Sequence, residues 1–476
     1  LSHTKIIKFA ASILVGVVLW NLPIPTGVEQ KAWHLFSIFV STIAAIILKP
    51  FPMGTLALMG MLAATLTGVL TLEEGLSGFT KPIIWLVVFV FFIARGFVKT
   101  NLGTRVAYYF VRLLGKSTLG LGYGVVLTEL VIAPCTPSNS ARTGGIMLPI
   151  IKSISEALGS SPKNHTERRL GSFLSQVSFN ANLITSAMFL TAMAANPIAQ
   201  ALAAKQGVEI TWFNWFNAAV VPGMISLIVI PFVLYVIYPP KIKHFPEAIE
   251  LAKGKLKEMG PMSSKEWTMA VIFFIMLFLW IVGETQMFAD IVGTKISAPT
   301  AALLGLCLLL VANVIDWRDV LIEHEAWHTL IWLAILVTMS TFLDKFGFIG
   351  WFSGSVGKIV VGWPWETAFL TLILAYFYSH YFFASNTAHV CSMYAAFLAV
   401  SISVGTPPLL AALVLAFFSS LFSSMTHYGT SAGAVLYAAG YVPLPVWWKN
   451  GLIVSVINII IWLGIGGIWW KVLGIW

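Results

Sequence analysis

Two five-residue strings, Ser138-Asn139-Ser140-Ala141-Arg142 and Ser385-Asn386-Thr387-Ala388-His389, carry side chains able to do chemistry inside long apolar stretches. Their hydroxyls and amides can donate directly to the oxygens of an anion. Serine and asparagine are also favoured helix N-caps, so each string can open a helix whose free amide groups point at a ligand. Two such ends meeting across a cavity would suit an anion with two carboxylates. A basic side chain follows each serine at four places, Arg142 in one string and His389 in the other. A guanidinium at membrane depth is costly enough to be a functional candidate by default. Its structural alternative is a salt bridge to Glu129. From Thr367 to Trp448 there is no Asp, Glu, Lys or Arg, so a site there must use hydroxyls, amides, backbone and His380, His389 or His427.

The strings are 247 positions apart, and the same offset carries Trp85 onto Trp332 and Gly103 onto Gly350. A long internal repeat with a polar tip in each copy is the pattern of a secondary transporter. Composition agrees: 58% of residues are hydrophobic, 10% are charged and the mean hydropathy is +0.88, so the solvent is lipid. Cys135, Cys307 and Cys391 have no paired spacing, which argues against disulfides and a metal centre. The net charge of +9 reflects membrane topology, with no nucleic acid partner implied.

Spans of roughly 20 apolar residues are predicted near 5–24, 32–49, 53–72, 82–99, 170–203, 212–238, 267–283, 296–315, 328–343, 406–440 and 450–472. This gives an all-α polytopic membrane protein with eleven transmembrane helices. Two further apolar stretches, 117–152 and 367–403, hold the tips. Pro134 and Pro137 break the first of them, leaving arms too short to cross singly. We read both as re-entrant hairpins, tolerated where protein or a water-filled cavity surrounds them. With the N-terminus inside, 20 Lys and Arg residues fall on the inner side and 7 outside. That topology inverts the second repeat, so the hairpins open to opposite faces. The expected organisation is scaffold (1–116), transport part with an inward-opening hairpin (117–240), cytoplasmic linker (241–265), second scaffold part (266–363) and transport part with an outward-opening hairpin (364–476). An amphipathic helix is expected at Pro246–Met259 of the linker.

Breaks in the helices after each hairpin are expected to complete the cavity, through Thr191 in the first copy and Thr430 and Ser431 in the second. The substrate-binding set is therefore Ser138, Asn139, Ser140, Thr191, Ser385, Asn386, Thr387, Thr430 and Ser431. Glu129 and His427 are candidates for a proton carrier or counter-ion. Serine and histidine are formally available for hydrolysis, but no acidic residue accompanies His389 and the serines are not in a nucleophile context. No enzyme activity and no cofactor are expected.

The tip strings, with Ala133-Pro134-Cys135-Thr136-Pro137 before the first, Thr143-Gly144-Gly145 after it, Phe383-Ala384 before the second and the later Thr426-His427-Tyr428 and Gly440-Tyr441-Val442, resemble the divalent anion:sodium symporter family. They are most similar to its exchanger branch of bacterial citrate/succinate antiporters and plastid 2-oxoglutarate/malate translocators. The resemblance implies a homodimer in which a transport part moves against a scaffold in an elevator-like step. It also implies that Arg142 and His389 stand where sodium-coupled relatives carry small or uncharged residues. A tethered guanidinium cannot leave as sodium can, and carrying it across unpaired would cost several kcal/mol. Obligate, sodium-independent exchange of C4 or C5 dicarboxylates such as malate, fumarate, succinate or 2-oxoglutarate is therefore expected, with sodium- or proton-coupled symport the alternative. Arg142→Ala is expected to abolish exchange without unfolding the chain. A bacterial inner membrane is the expected location.

Overall fold

A computed structural model of the chain describes residues 3–244, 247–357, 362–383 and 385–476. Ala384, just before the second tip string, and Pro246 of the linker lie outside them. Helices are the regular structure of the described residues, with one isolated antiparallel bridge, Ser117 to His244. Nine helical runs among them are long and apolar enough to cross a bilayer. They are His3–Asn21, Gln30–Leu48, Pro82–Thr100, Thr118–Cys135, Trp212–Ile237, Ser264–Val282, His324–Lys345, Pro408–Met425 and Leu444–Val472.

Three of the expected spans differ from that set. Met53–Leu66 and Ala298–Val311 are apolar but only 14 residues each, about 21 Å at the helical rise. The third, near 170–203, is interrupted: helix Gly171–Met188 stops at Phe189, and Ala195–Lys205 follows after a short 3₁₀ turn. Conversely, Thr118–Cys135 is 18 residues long, enough to span by length alone. This first arm, expected to be too short to cross singly, is therefore long enough to do so. Its tip is nevertheless interior, with Cys135, Thr136 and Asn139 all buried.

The repeat survives in the helix boundaries. Thr118 and Trp365 open the first arms 247 positions apart, and Asn139 and Asn386 stand at the heads of the second arms at the same offset. Both second arms then pass through a widened π-helical stretch, Ala141–Met147 and Val390–Tyr394. Helices Pro82–Thr100, Ala298–Val311 and Ser264–Val282 pack together, and His324–Lys345 lies against Gln30–Leu48, Met53–Leu66 and Pro82–Thr100. A second set, including Thr118–Ile132, Gly171–Met188, Trp212–Ile237 and Pro408–Leu421, packs around the tips. The two sets meet where Ala195–Lys205 touches His324–Lys345 and Pro82–Thr100.

Without water in the hydrocarbon, helix association depends on close packing at small residues. Gly451 shows this. A Cβ there would overlap Ser424 O and lie 2.9 Å from Met425 Cα, so helix Leu444–Ile460 rests directly on the backbone of the break behind the second tip. Gly451→Val is expected to destabilise the protein by about 1–3 kcal/mol through overpacking, read as a lower melting temperature in detergent.

The linker helix runs over Glu247–Met259 and buries Ala248 and Ala252 against Leu102–Leu114. Its exposed pairs, Lys253–Glu250 and Lys255–Glu258, contribute little. Arg105 does more. Nearly fully buried, it donates to Glu266 at 2.5 Å and to the Gly260 and Met259 carbonyls at 2.8 and 3.3 Å. The Glu266 carboxylate holds the Arg105 guanidinium protonated, above its ordinary range. One side chain thus closes the end of the linker helix and ties it to the start of the second repeat.

Candidate functional site: two helix tips on one cavity

The two tip strings converge on a single cavity of about 290 Å³. Ser138, Asn139 and Ser140 line it from one repeat, and Ser385, Asn386 and Thr387 line it from the other. Each string caps its own helix. Ser138 Oγ accepts from the Ala141 N–H at 3.1 Å, and Ser385 Oγ accepts from the Ala388 N–H at 3.3 Å. Thr430 caps a third helix, Ser431–Ala438, by accepting from the Gly433 N–H at 3.2 Å, and Thr430 and Ser431 both line the cavity. Three helix N-termini therefore border one small space, an arrangement that favours negative charge.

Five expected site residues lie elsewhere. Thr191 is buried, donating to Pro134 O at 2.5 Å and accepting from the Trp212 indole at 3.2 Å. The break it belongs to reaches the cavity two residues later, through Met193 and Ala194. His427 packs its ring on Tyr437, 4.3 Å between centroids, away from the cavity.

Arg142 and His389 do not line the cavity either. Four residues past a cap is one helical turn deeper, about 5.4 Å along the axis, and both side chains turn into protein. Arg142 is fully buried. Its Nε donates to Glu129 Oε2 at 3.0 Å, so Glu129 is its counter-ion. One terminal nitrogen donates to the Ala192 carbonyl at 2.6 Å and to that of Thr136, and the other to Ser186 Oγ at 2.6 Å. The expected uncompensated cation is thus a paired one. His389 is a core residue, bonded through Nε2 to Ser379 Oγ at 2.9 Å among Tyr376, Phe383 and Phe422.

Sequence reasoning missed the opposite wall. Lys49, Glu325, His328 and Trp332 line the same cavity from the end of helix Gln30–Leu48 and the first half of His324–Lys345. Lys49 occupies a left-handed conformation (φ 52°) that closes helix Gln30–Leu48. His328 Nε2 accepts from the Gly54 N–H at 3.1 Å, which leaves Nδ1 to carry the proton of the neutral ring. A second cavity of about 370 Å³ continues from Ser138 and Ser140 towards Arg95 and Glu323.

Residues 3–476 match the family model described as the sodium:sulfate symporter transmembrane region. The chain belongs to this family, the divalent anion:sodium symporters. Relatives align over nearly all of this chain. YflS of Bacillus subtilis, named as a malate transporter, is 51% identical over all of this chain and 98% of its own length. The chloroplast dicarboxylate transporter 1 of Spinacia oleracea is 50% identical, over 98% of this chain and 81% of its own. The citrate/succinate antiporter of Escherichia coli is 33% identical over 100% and 99%. The solved YdaH transporter of Alcanivorax borkumensis shares the fold, with a TM-score of 0.57 at 12% identity over 99% of this chain and 97% of that one. The chain is thus a multi-pass membrane transporter and not an enzyme.

Proposed function

We propose that this symporter-family chain is a sodium-independent exchanger of C4 or C5 dicarboxylates such as malate, fumarate, succinate or 2-oxoglutarate. The observation that carries the reading is the convergence of Ser138-Asn139-Ser140 and Ser385-Asn386-Thr387 on one cavity. Each tip offers one carboxylate its hydroxyl, amide and backbone donors. The malate, dicarboxylate and citrate/succinate names of its relatives agree with such a substrate.

Sodium independence has support behind the first tip. The Thr136 and Ala192 carbonyls and the Ser186 hydroxyl, oxygens of the kind a sodium ion coordinates, already accept from Arg142. A tethered cation therefore fills the cage. Because Glu129 neutralises Arg142, the reason for obligate exchange moves from that charge to the helix ends. An empty cavity presents unsatisfied N–H groups at three N-termini, each costing about 1–3 kcal/mol when buried without a partner. A bound dicarboxylate satisfies them, so the loaded transport part crosses more easily than the empty one.

In this reading the chain has eleven crossings, an inward N-terminus and re-entrant arms in both repeats, and works as a homodimer by an elevator movement of residues 117–240 and 364–476 against the remainder. A bacterial inner membrane is the proposed location. Uptake of labelled malate into sodium-free proteoliposomes is expected to require an internal dicarboxylate. Equal uptake into empty vesicles, or dependence on external sodium, would falsify exchange.

A further inference from the structure

Behind each tip asparagine stands a serine that touches neither the cavity nor solvent. Ser186 Oγ lies 3.2 Å from Asn139 Oδ1, and Ser423 Oγ lies 3.1 Å from Asn386 Oδ1. Both serines are fully buried. Behind each serine stands a nitrogen that can only donate. In the first repeat it is Arg142 Nη2, 2.6 Å from Ser186 Oγ. In the second it is His380 Nε2, 3.1 Å from Ser423 Oγ. His380 Nε2 also lies 3.1 Å from the Gly429 carbonyl, which can only accept, so that nitrogen carries the proton.

A serine hydroxyl has one proton. Neither nitrogen can accept that proton, Arg142 because a guanidinium has no lone pair to offer and His380 Nε2 because it carries the one hydrogen that Ser423 shares with the Gly429 carbonyl, so the serine proton goes forward to the amide oxygen. The –NH₂ of each asparagine is thereby turned away from the serine. Asn386 Nδ2 donates to Ser419 O at 3.1 Å, and its other contact is the Met193 sulfur at 3.4 Å, a weak acceptor at the cavity wall. A carboxylate would displace that sulfur readily. Orientation of an amide normally has to be assigned from its surroundings, and here the surroundings permit one answer.

We propose that Ser186 and Ser423 are positioning residues, each relaying a buried donor (Arg142 or His380) so that the tip asparagine presents its N–H₂ group to a substrate carboxylate. The device is the same in both repeats, although a charged donor drives one and a neutral ring the other. It also gives Arg142 a role at the site without contact with substrate. In the second repeat that role falls to His380, while the sequence-matched His389 bonds elsewhere. The relay rests on the dicarboxylate reading above.

The test is a pair of double-mutant cycles read with malate, by counterflow in proteoliposomes and by binding to the purified protein. Ser186→Ala and Ser423→Ala are each expected to raise the malate KM and Kd about tenfold, the loss of one oriented hydrogen bond to a charged group, with Vmax within about twofold of the parent. Asn139→Ala is expected to abolish the effect of Ser186→Ala, the double variant binding no worse than Asn139→Ala alone, and likewise for Asn386 and Ser423. Additive losses, or an unchanged KM in the serine variants, overturn the relay. If Ser186→Ala does not fold because it orphans a guanidinium N–H, the Ser423–Asn386 cycle, which orphans no charge, decides. Absence of malate, succinate and citrate counterflow in the wild-type chain overturns the dicarboxylate reading and the relay with it. Robust wild-type counterflow with additive serine losses overturns the relay alone.

Discussion

Arg142→Ala is expected to unfold or severely destabilise the protein, a larger effect than loss of transport alone. The substitution leaves the Glu129 carboxylate fully buried without its partner. Breaking one side of a buried pair costs about 3–5 kcal/mol, a large fraction of the stability of most folded proteins. The Thr136 and Ala192 carbonyls and the Ser186 hydroxyl lose their donor in the same step. This reverses the sequence expectation that the alanine variant stays folded. Melting curves in detergent should show a large drop for Arg142→Ala and substantial recovery in Arg142→Gln/Glu129→Gln, which removes both charges and keeps hydrogen-bonding groups. An alanine variant as heat-stable as the parent would mean that the pair is not formed.

Asn139→Asp is expected to weaken dicarboxylate binding by about two to three orders of magnitude while leaving the fold intact. The new carboxylate keeps an oxygen for Ser186 to donate to, so the packing behind the tip survives. On the cavity side it replaces a donor with a negative charge beside the substrate carboxylate. Like charges set against each other cost several kcal/mol, which is the scale of the expected loss. Isothermal titration with malate, alongside an unchanged melting temperature, is the decisive comparison. Near-parental affinity would remove Asn139 from the site.

Much of the architecture is legible in the residues because the repeat is written twice. The 247 offset marks Ser138 and Ser385, and the structure keeps that offset in the helices that carry them. Other features leave weaker marks. Ser186 and Ser423 look like ordinary small residues of membrane helices, and only their place behind an asparagine gives them meaning. Thr191 belongs to the right break but not to the cavity wall, because a 3₁₀ turn brings Met193 and Ala194 to the cavity in its place. Lys49 and His328 lie on helix ends with no duplicated motif, so nothing in the chain connects them to the tips before folding does. Arg142 and His389 share a sequence position but not a role, since the π-helical stretches after the two tips begin at different places, Ala141 and Val390.

The pairing of Arg142 with Glu129 also bears on what a membrane voltage can act upon. Moving one elementary charge through 100 mV is worth about 2.3 kcal/mol. A lone guanidinium riding across with the cavity would make each half-cycle sensitive to that field. In the elevator movement proposed above the pair would cross as a dipole with no net charge, and the second tip has no acidic, lysine or arginine side chain within its stretch. At the two tips, the field would then grip only the cargo. If transport is the proposed exchange, swapping one dianion for another would move no net current, and a cell could trade one acid for another without drawing on its membrane potential.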